Sequence, residues 1–267
     1  MVLPVELPDL PGDLPTPRWA RPLHGGDVAQ VFQAELPDGR RVVVKRSPTD
    51  AGLEAEGLDA LRQAGAPTPA VLGVDAHVLV IEHVTGPGDL RALGHGLATA
   101  HQQRGPAFGW HRDNVIGPLP QRNPWTDDWP TFFVEQRVTP YLDDLPTEVA
   151  RRLERATSGP LPDLLDHDVA PSLVHGDLWS GNIVGDRWLI DPAVNHGDRE
   201  LDLAMLALFG GVPPALLAGY EEVWPLDDGW ERRRPALQMY HLLVHVRLFG
   251  AGYLGAVTSR LDGLGWR

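Results

Sequence analysis

One stretch constrains this chain more than any other: Leu173 to Asp191, LVHGDLWSGNIVGDRWLID. Leu173 and Val174 lead into it. Ile183 and Val184, then Trp188 to Ile190, read as two short strands turning at Gly185-Asp186. Between the apolar pieces sit His175, Asp177 and Asn182, and Asp191 follows the second strand directly. Gly, Asn and Asp also make ordinary tight turns, and a His-x-Asp pair is half of many metal-hydrolase sites. The combination is more specific. Two carboxylates and an amide oxygen, in register with two apolar strands, form an oxygen-donor set suited to a hard cation such as magnesium.

Asp177 and Asn182 are five residues apart, the spacing found in the H-R-D-x-x-x-x-N catalytic loop of kinases. In that chemistry one carboxylate accepts the proton of the attacking hydroxyl, the part expected of Asp177. An amide and a second carboxylate, here Asn182 and Asp191, hold the Mg2+ that neutralises the phosphates of ATP. His175 is expected to hold the loop backbone by hydrogen bonds rather than to touch substrate.

The bulk properties agree. A chain of 267 residues, 43% hydrophobic and 22% charged, can bury a large core in one domain or two lobes. A net charge of −13 argues against nucleic acid or an anionic membrane as partner. With no Cys there is no disulfide framework, thiol nucleophile or thiol-based redox control. No basic-plus-apolar leader and no run of about 18 apolar residues is present, so the expected location is cytoplasmic.

Read in order, residues 1–17 carry five Pro and predict an extended arm. Leu23-His-Gly25-Gly26-Asp27 lies where a phosphate-covering loop belongs, without the full G-x-G-x-x-G. Val28 to Leu36 and Arg40 to Lys45 predict strands joined by Pro37-Asp38-Gly39. Lys45 ends an apolar strand, as the phosphate-binding Lys of V-A-I-K does. A helix is expected from about Thr49 to Ala64. On it two acids compete for Lys45. At about 100° per residue, Glu54 falls inside the apolar stripe and needs a cation, while Glu56 falls on the opposite, solvated face. Glu54 is the favoured partner. Ala70 to Val74 and His77 to Ile81 predict the last strands of the small lobe. A hinge follows, with backbone groups near Glu82 and Val84 expected to meet adenine.

From Asp89 the pattern becomes helical, with Asp89 as cap for Leu90, Leu93, Leu97 and His101. Phe108 to Trp129 is a Trp-rich loop; Trp110, Trp125 and Trp129 suit either packing or a platform for a sugar face. Phe132 to Arg137 and Glu148 to Arg155 predict further helices. Asp202 opens an apolar helix, Leu201 to Phe209, and is expected to support the catalytic loop. Pro213-Pro214 begins another. A final long helix is expected from Trp230 to Leu254. On it His241 and His245 read as packing residues, since the Glu of H-E-x-x-H is missing.

Several strings together resemble the fructosamine kinase (ketosamine 3-kinase) family. They are His175 to Asn182 (HGDLWSGN), Ile190-Asp-Pro-Ala193, Gly197 to Met205 and Leu208-Phe-Gly-Gly211. Upstream, Leu93 to His101, Phe108-Gly-Trp110, Asp113 to Gly117, Gln121 to Trp125 and Trp129 to Arg137 also match, so the resemblance spans most of residues 20 to 255. It implies an α+β, bilobal, protein-kinase-like fold. Residues 1–83 would form the small antiparallel β lobe with one helix. Residues 84–267 would form the larger, mainly α-helical catalytic and substrate lobe.

The resemblance further implies ATP and Mg2+ as cofactors, and a ketoamine as acceptor, free or on protein lysine, phosphorylated at its 3-hydroxyl in deglycation repair. Trp179 would then face the acceptor sugar. The family also uses a reduced glycine loop. The chain departs from the family in a shorter Lys45-to-Glu54 interval and in Ala51, where an aromatic is usual. The same fold serves aminoglycoside and choline kinases, and the reduced glycine loop with the short Lys45-to-Glu54 interval also suits a catalytically silent nucleotide-binding scaffold, which the intact Asp177, Asn182 and Asp191 oppose.

Overall fold

The structure, a computed structural model, describes residues 10–23 and 29–267. The first layer is an antiparallel sheet of five strands: β1 (Trp19–Leu23), β2 (Gln30–Glu35), β3 (Arg41–Arg46), β4 (Val71–Val74) and β5 (Val78–Glu82), in the order β1-β2-β3-β5-β4. Alternation decides its faces. Phe32, Ala34, Val42, Val44, Val78 and Val80 point to one side, where Leu10 joins them. Leu79 and Ile81 point to the other, against α1 (Ala51–Gln63) through Ala51, Ala55 and Leu58. The part of the Pro-rich arm from Leu10 lies on the sheet, with Pro11 close beside Gly73 of β4. α1 starts two residues later than expected because Asp50 caps it, its carboxylate accepting the Gly52 amide at 2.9 Å.

The rest is mainly helical. Asp89 caps α2 (Leu90–His101), whose Leu93, Leu97 and His101 are buried. The hairpin β6 (Asn114–Ile116) and β7 (Leu119–Gln121) follows. α3 (Trp129–Phe132) continues as a π-helix over Phe133–Val138 and a 3-10 helix over Thr139–Asp144. α4 (Thr147–Thr157) and α5 (Pro160–Leu165) lead to β8 (Ser172–Val174). Two further short strands, β9 (Ile183–Val184) and β10 (Trp188–Leu189), pair with each other, and β11 (Asn195–Gly197) returns antiparallel to β8.

α6 (Glu200–Leu206), α7 (Pro214–Val223), α8 (Trp230–Phe249) and α9 (Leu254–Gly263) complete the chain. The expected single helix from Trp230 to Leu254 is therefore two. Gly250 takes φ 80 at the end of α8, and a 3-10 turn, Ala251–Tyr253, redirects the chain. The main core lies among α2, α3, α6, α7 and α8, around Trp129, Phe132, Phe133, Tyr220 and Tyr240. Among the described residues no helix is long and apolar enough to cross a membrane.

Candidate active site

The site is built on β8 and β11, two short antiparallel strands buried throughout. The loop after β8 turns at Gly176, whose φ is 83. A Cβ there would collide with the Ala193 carbonyl oxygen, so only glycine fits. The loop is held from below by one carboxylate. Asp202 of α6 accepts the backbone amides of His175 (2.6 Å) and Gly176 (2.8 Å). His101, 3.1 Å from Asp202, is itself bonded to the Tyr220 hydroxyl at 2.8 Å. Burial opposes the charge of Asp202, but the bond to His101 and its charge outweigh it and keep the carboxyl below its ordinary range.

His175 is buried, and its imidazole Nε2 donates to the Ile190 carbonyl (2.9 Å), which joins the loop to the strand before Asp191. His241 of α8 donates from Nε2 to the Gly176 carbonyl at 2.9 Å, and His245 bonds the His241 carbonyl within the helix. The two histidines are thus occupied with backbone rather than poised as a metal pair.

On this frame the chemical groups come together. Asn182 donates from Nδ2 to the Asp177 carbonyl (2.8 Å), closing the loop, which leaves its Oδ1 as the donor atom available to a cation. Asp191 follows β10 with φ 55, an uncommon conformation for a non-glycine residue and one that re-aims its carboxylate. Lys45 on β3 donates to both Asp191 and Glu54, the latter at 2.6 Å, so one buried ammonium bridges the sheet layer and the loop region. Burial works against the charge of Lys45, and the two carboxylates overcome it, raising its pKa. Burial likewise pushes Glu54 up to about 7, against the pull of Lys45. Asp191 resists the same effect because Lys45 holds it below the ordinary carboxylate range.

Asp177 is pushed up to about 7, first by burial and then by the charges of Asp191 and Asp202. A carboxylate poised there takes up a proton readily near neutral pH. Hard oxygen donors on Asn182 and Asp191, beside a buried Lys, fit a magnesium–nucleotide phosphate group.

The other expected residues are distributed as follows. Gly25 and Gly26 lie outside the described residues. The Glu82 amide is donated to the Ala70 carbonyl (2.9 Å), and Val84 follows, half-buried, after the sheet ends. Trp179 is 40% exposed beside Asp177, its ring lying against Gly181. Trp129 is pure packing, against Phe108, Phe132 and Phe133. Trp125 is 45% exposed and flanks His196 at a ring separation of 6.0 Å. Trp110 also lies against His196 (5.1 Å) and donates its Nε1 to Glu56 at 2.8 Å. Glu56 is therefore not on a solvated face: a loop remote in sequence covers it, which helical periodicity cannot reveal.

Sequence reasoning also missed a buried polar web under residues 193–194. In it Asn114 and Gln121 bond the Val194 and Ala193 carbonyls, and Arg137 bonds Asn123 at 2.6 Å. The abundance of Asn and Gln in Asn114 to Asn123 was its only signal. Among the described residues one other group of metal-type ligands converges: His167, Asp198 and Glu200. It is satisfied internally, since Arg233 takes both Glu200 oxygens (2.7 and 2.6 Å).

A five-stranded antiparallel sheet with one helix, set over a helical body, with a strand Lys bridged to a helix Glu and to an Asp beyond the loop that follows β8, defines a phosphotransferase of the bilobal protein-kinase-like fold. The family model for fructosamine kinase matches residues 8–264. A relative from Enterococcus faecium, named "Probable ketoamine kinase", is 36% identical over 261 residues, covering 90% of this chain and 93% of the relative. A crystal structure from Thermobifida fusca bearing a fructosamine-3-kinase name is 36% identical, covers 92% of both chains and superposes with a TM-score of 0.84. An amicoumacin kinase solved with AMP-PNP and Ca2+ shares the fold alone, at 18% identity and a TM-score of 0.58 over 92% of this chain and 87% of that one. The chain belongs to the fructosamine kinase family.

Proposed function

We propose that this protein transfers the γ-phosphoryl group of ATP to the 3-hydroxyl of a ketoamine, a sugar adduct on a free amine or a protein lysine. Phosphorylation there labilises the adduct, which makes the reaction a step of deglycation repair. The observation that carries this reading is the convergence of Lys45 on Glu54 and Asp191, next to Asp177 and Asn182 on a loop anchored by Asp202. Residues 1–83 then form the nucleotide lobe and residues 84–267 the acceptor lobe, with the catalytic loop facing the cleft.

The roles follow from the chemistry. The Asp177 carboxylate accepts the proton of the sugar hydroxyl as its oxygen attacks phosphorus in line with the departing ADP. Its raised proton affinity suits that part. Lys45, kept charged and oriented by Glu54, reaches the phosphate oxygens, exchanging its bond with Asp191 for one with nucleotide. Asn182 Oδ1 and the Asp191 carboxylate would hold Mg2+, which supplies neutralisation of phosphate charge. Gly25 and Gly26 would cover the phosphates. Backbone groups around Glu82 and Val84 would meet the adenine edge. His175 and Asp202 keep the loop in shape. Trp179 offers an aromatic face to the acceptor, with Trp125 and Trp110 as outer wall. The net charge of −13 favours a substrate carrying an amine.

The test is ATP consumption, with and without magnesium, against fructosyl-, ribulosyl- and erythrulosyl-amines, kanamycin and choline. Turnover confined to ketoamines supports the proposal. Turnover of kanamycin or choline alone assigns a different acceptor, and nucleotide binding without any turnover assigns a scaffold.

A further inference from the structure

We propose that residues 110–112 form a clamp on Glu56 that sets the position of α1, and through it the Lys45–Glu54 pair. Glu56 is thereby a positioning residue for phosphoryl transfer. The inference rests on the reading of Lys45 as a phosphate ligand.

Three consecutive side chains converge on this one carboxylate. Trp110 Nε1 donates at 2.8 Å, His111 Nε2 lies at 3.0 Å, and the Arg112 guanidinium makes an ion pair with the second oxygen. Arg112 also donates to the Gly52 carbonyl at 3.3 Å and stands 3.9 Å from Asp50, so it reaches over the capped first turn of α1. The Glu56 side chain is 27% exposed, although helical periodicity assigns it to solvent. Isolated surface ion pairs contribute little. One directed hydrogen bond from Trp110, with His111 and Arg112 from the next two positions beside the same carboxylate, is a different arrangement, because the bond fixes a direction and the neighbours add charge.

Both ends of the clamp are tied to the catalytic machinery. On one side, Glu54 and Glu56 project from the same turns of α1 in different directions, Glu54 onto Lys45 and Glu56 onto the loop. α1 also touches the chain just past Asp191. A Cβ at Gly57 would lie 2.9 Å from Pro192 and 3.4 Å from Val194. On the other side, Gly109 exchanges two backbone hydrogen bonds with His196 of β11, at 2.9 and 2.7 Å, and the Trp110 ring lies against the His196 ring. β11 pairs with β8, which delivers Asp177. The Trp110 amide is held by Asn123, and Asn123 by buried Arg137. The clamp is therefore rigid behind, and a loosened Glu56 would free α1 from the strand pair that carries the base. Trp110, by this account, acts through Glu56 more than through a sugar face.

The test uses Glu56→Ala, Glu56→Gln and Arg112→Ala in the full chain. For Glu56→Ala, kcat/KM for ATP should fall about 10- to 100-fold, the scale of an ångström-sized misplacement, with acceptor KM within about threefold. Glu56→Gln, which can still accept from Trp110, should recover part of the loss. Adding Lys45→Ala to Glu56→Ala should give an enzyme no more than about twofold worse than Lys45→Ala alone, since both remove the same positioning. Independently of turnover, amide hydrogen exchange in residues 52–63 of the nucleotide-free protein should speed up at least about tenfold in Glu56→Ala and Arg112→Ala, with β2, β3 and β5 unchanged. Unchanged exchange in α1, or losses that multiply fully with Lys45→Ala, would overturn the clamp. If the wild type phosphorylates no acceptor, the function reading fails and the exchange result alone decides the clamp.

Discussion

Asp177→Asn should make the nucleotide-free protein more stable while abolishing its catalysis. Asp177 sits near Asp191 and Asp202 in a half-buried place, and burial, then those two charges, push it from its ordinary value near 3.8 up to about 7. The unfolded chain releases this proton at the ordinary value, the folded chain only near 7. Between those values the folded state holds more protons, so stability falls as pH rises, and the penalty is complete above pH 7. A gap of roughly three pH units at 1.36 kcal/mol each bounds the penalty at about 4 kcal/mol. Water reaching the half-buried carboxylate screens part of it, leaving about 1–2 kcal/mol. Asn has the same shape without the charge. For a chain of this size about 1 kcal/mol moves Tm by roughly 2–4 °C, so a gain of about 3–6 °C is expected at pH 8. The gain should fall below half at pH 5, where the wild-type carboxyl is protonated. Thermal unfolding of both proteins at pH 5, 6, 7 and 8, without nucleotide or magnesium, reads this directly. An equal or lower Tm for Asp177→Asn at pH 8, or a gain independent of pH, would refute the reasoning.

Gly176→Ala should cost about 3 kcal/mol or more in urea unfolding, because it adds a left-handed alanine to a clash with the Ala193 carbonyl; an unchanged midpoint would contradict the close approach. Asp202→Ala strands the buried amides of His175 and Gly176 and should cost about 3–5 kcal/mol, with Asp202→Asn recovering part in the same assay. Trp179→Ala removes an exposed ring and should leave stability within about 0.5 kcal/mol, while raising acceptor KM about tenfold with ATP KM unchanged in steady-state kinetics.

Much of this arrangement is legible in the sequence because it is local. Asp177 and Asn182 share one loop, and their mutual hydrogen bond spans only five positions. The apolar stripe of α1 selects Glu54 as the acid facing inward, and Glu54 is the one that touches Lys45. The β-strands announce themselves by short apolar runs and by the turn at Pro37-Asp38-Gly39. What escapes is non-local. Glu56 reads as solvated because its three partners lie 54 to 56 positions away, in a loop without periodicity. His101 reads only as one more position on the apolar stripe of its helix and His241 as a packing residue; one bonds Asp202 and the other the Gly176 carbonyl, both distant in sequence. Residues Trp230 to Leu254 suggested one helix because apolar content runs on past Phe249, while the break depends on the backbone of Gly250. Even the second strand of the catalytic stretch is shorter than its apolar run, since Ile190 turns out of pairing to bond Asn182 and hand the chain to Asp191.

The central claim is that Asp177, on its anchored loop, drives transfer of phosphate from ATP to a ketoamine. It is tested most directly by following phosphate from γ-labelled ATP into a ribulosyl- or fructosyl-amine, with magnesium, for the wild type and Asp177→Asn. The account predicts label on the sugar 3-hydroxyl, magnesium dependence, and loss of at least about 10²-fold in the variant, the scale of positioned proton transfer. Transfer that persists in Asp177→Asn, or a wild type that binds ATP and labels no ketoamine, would contradict it.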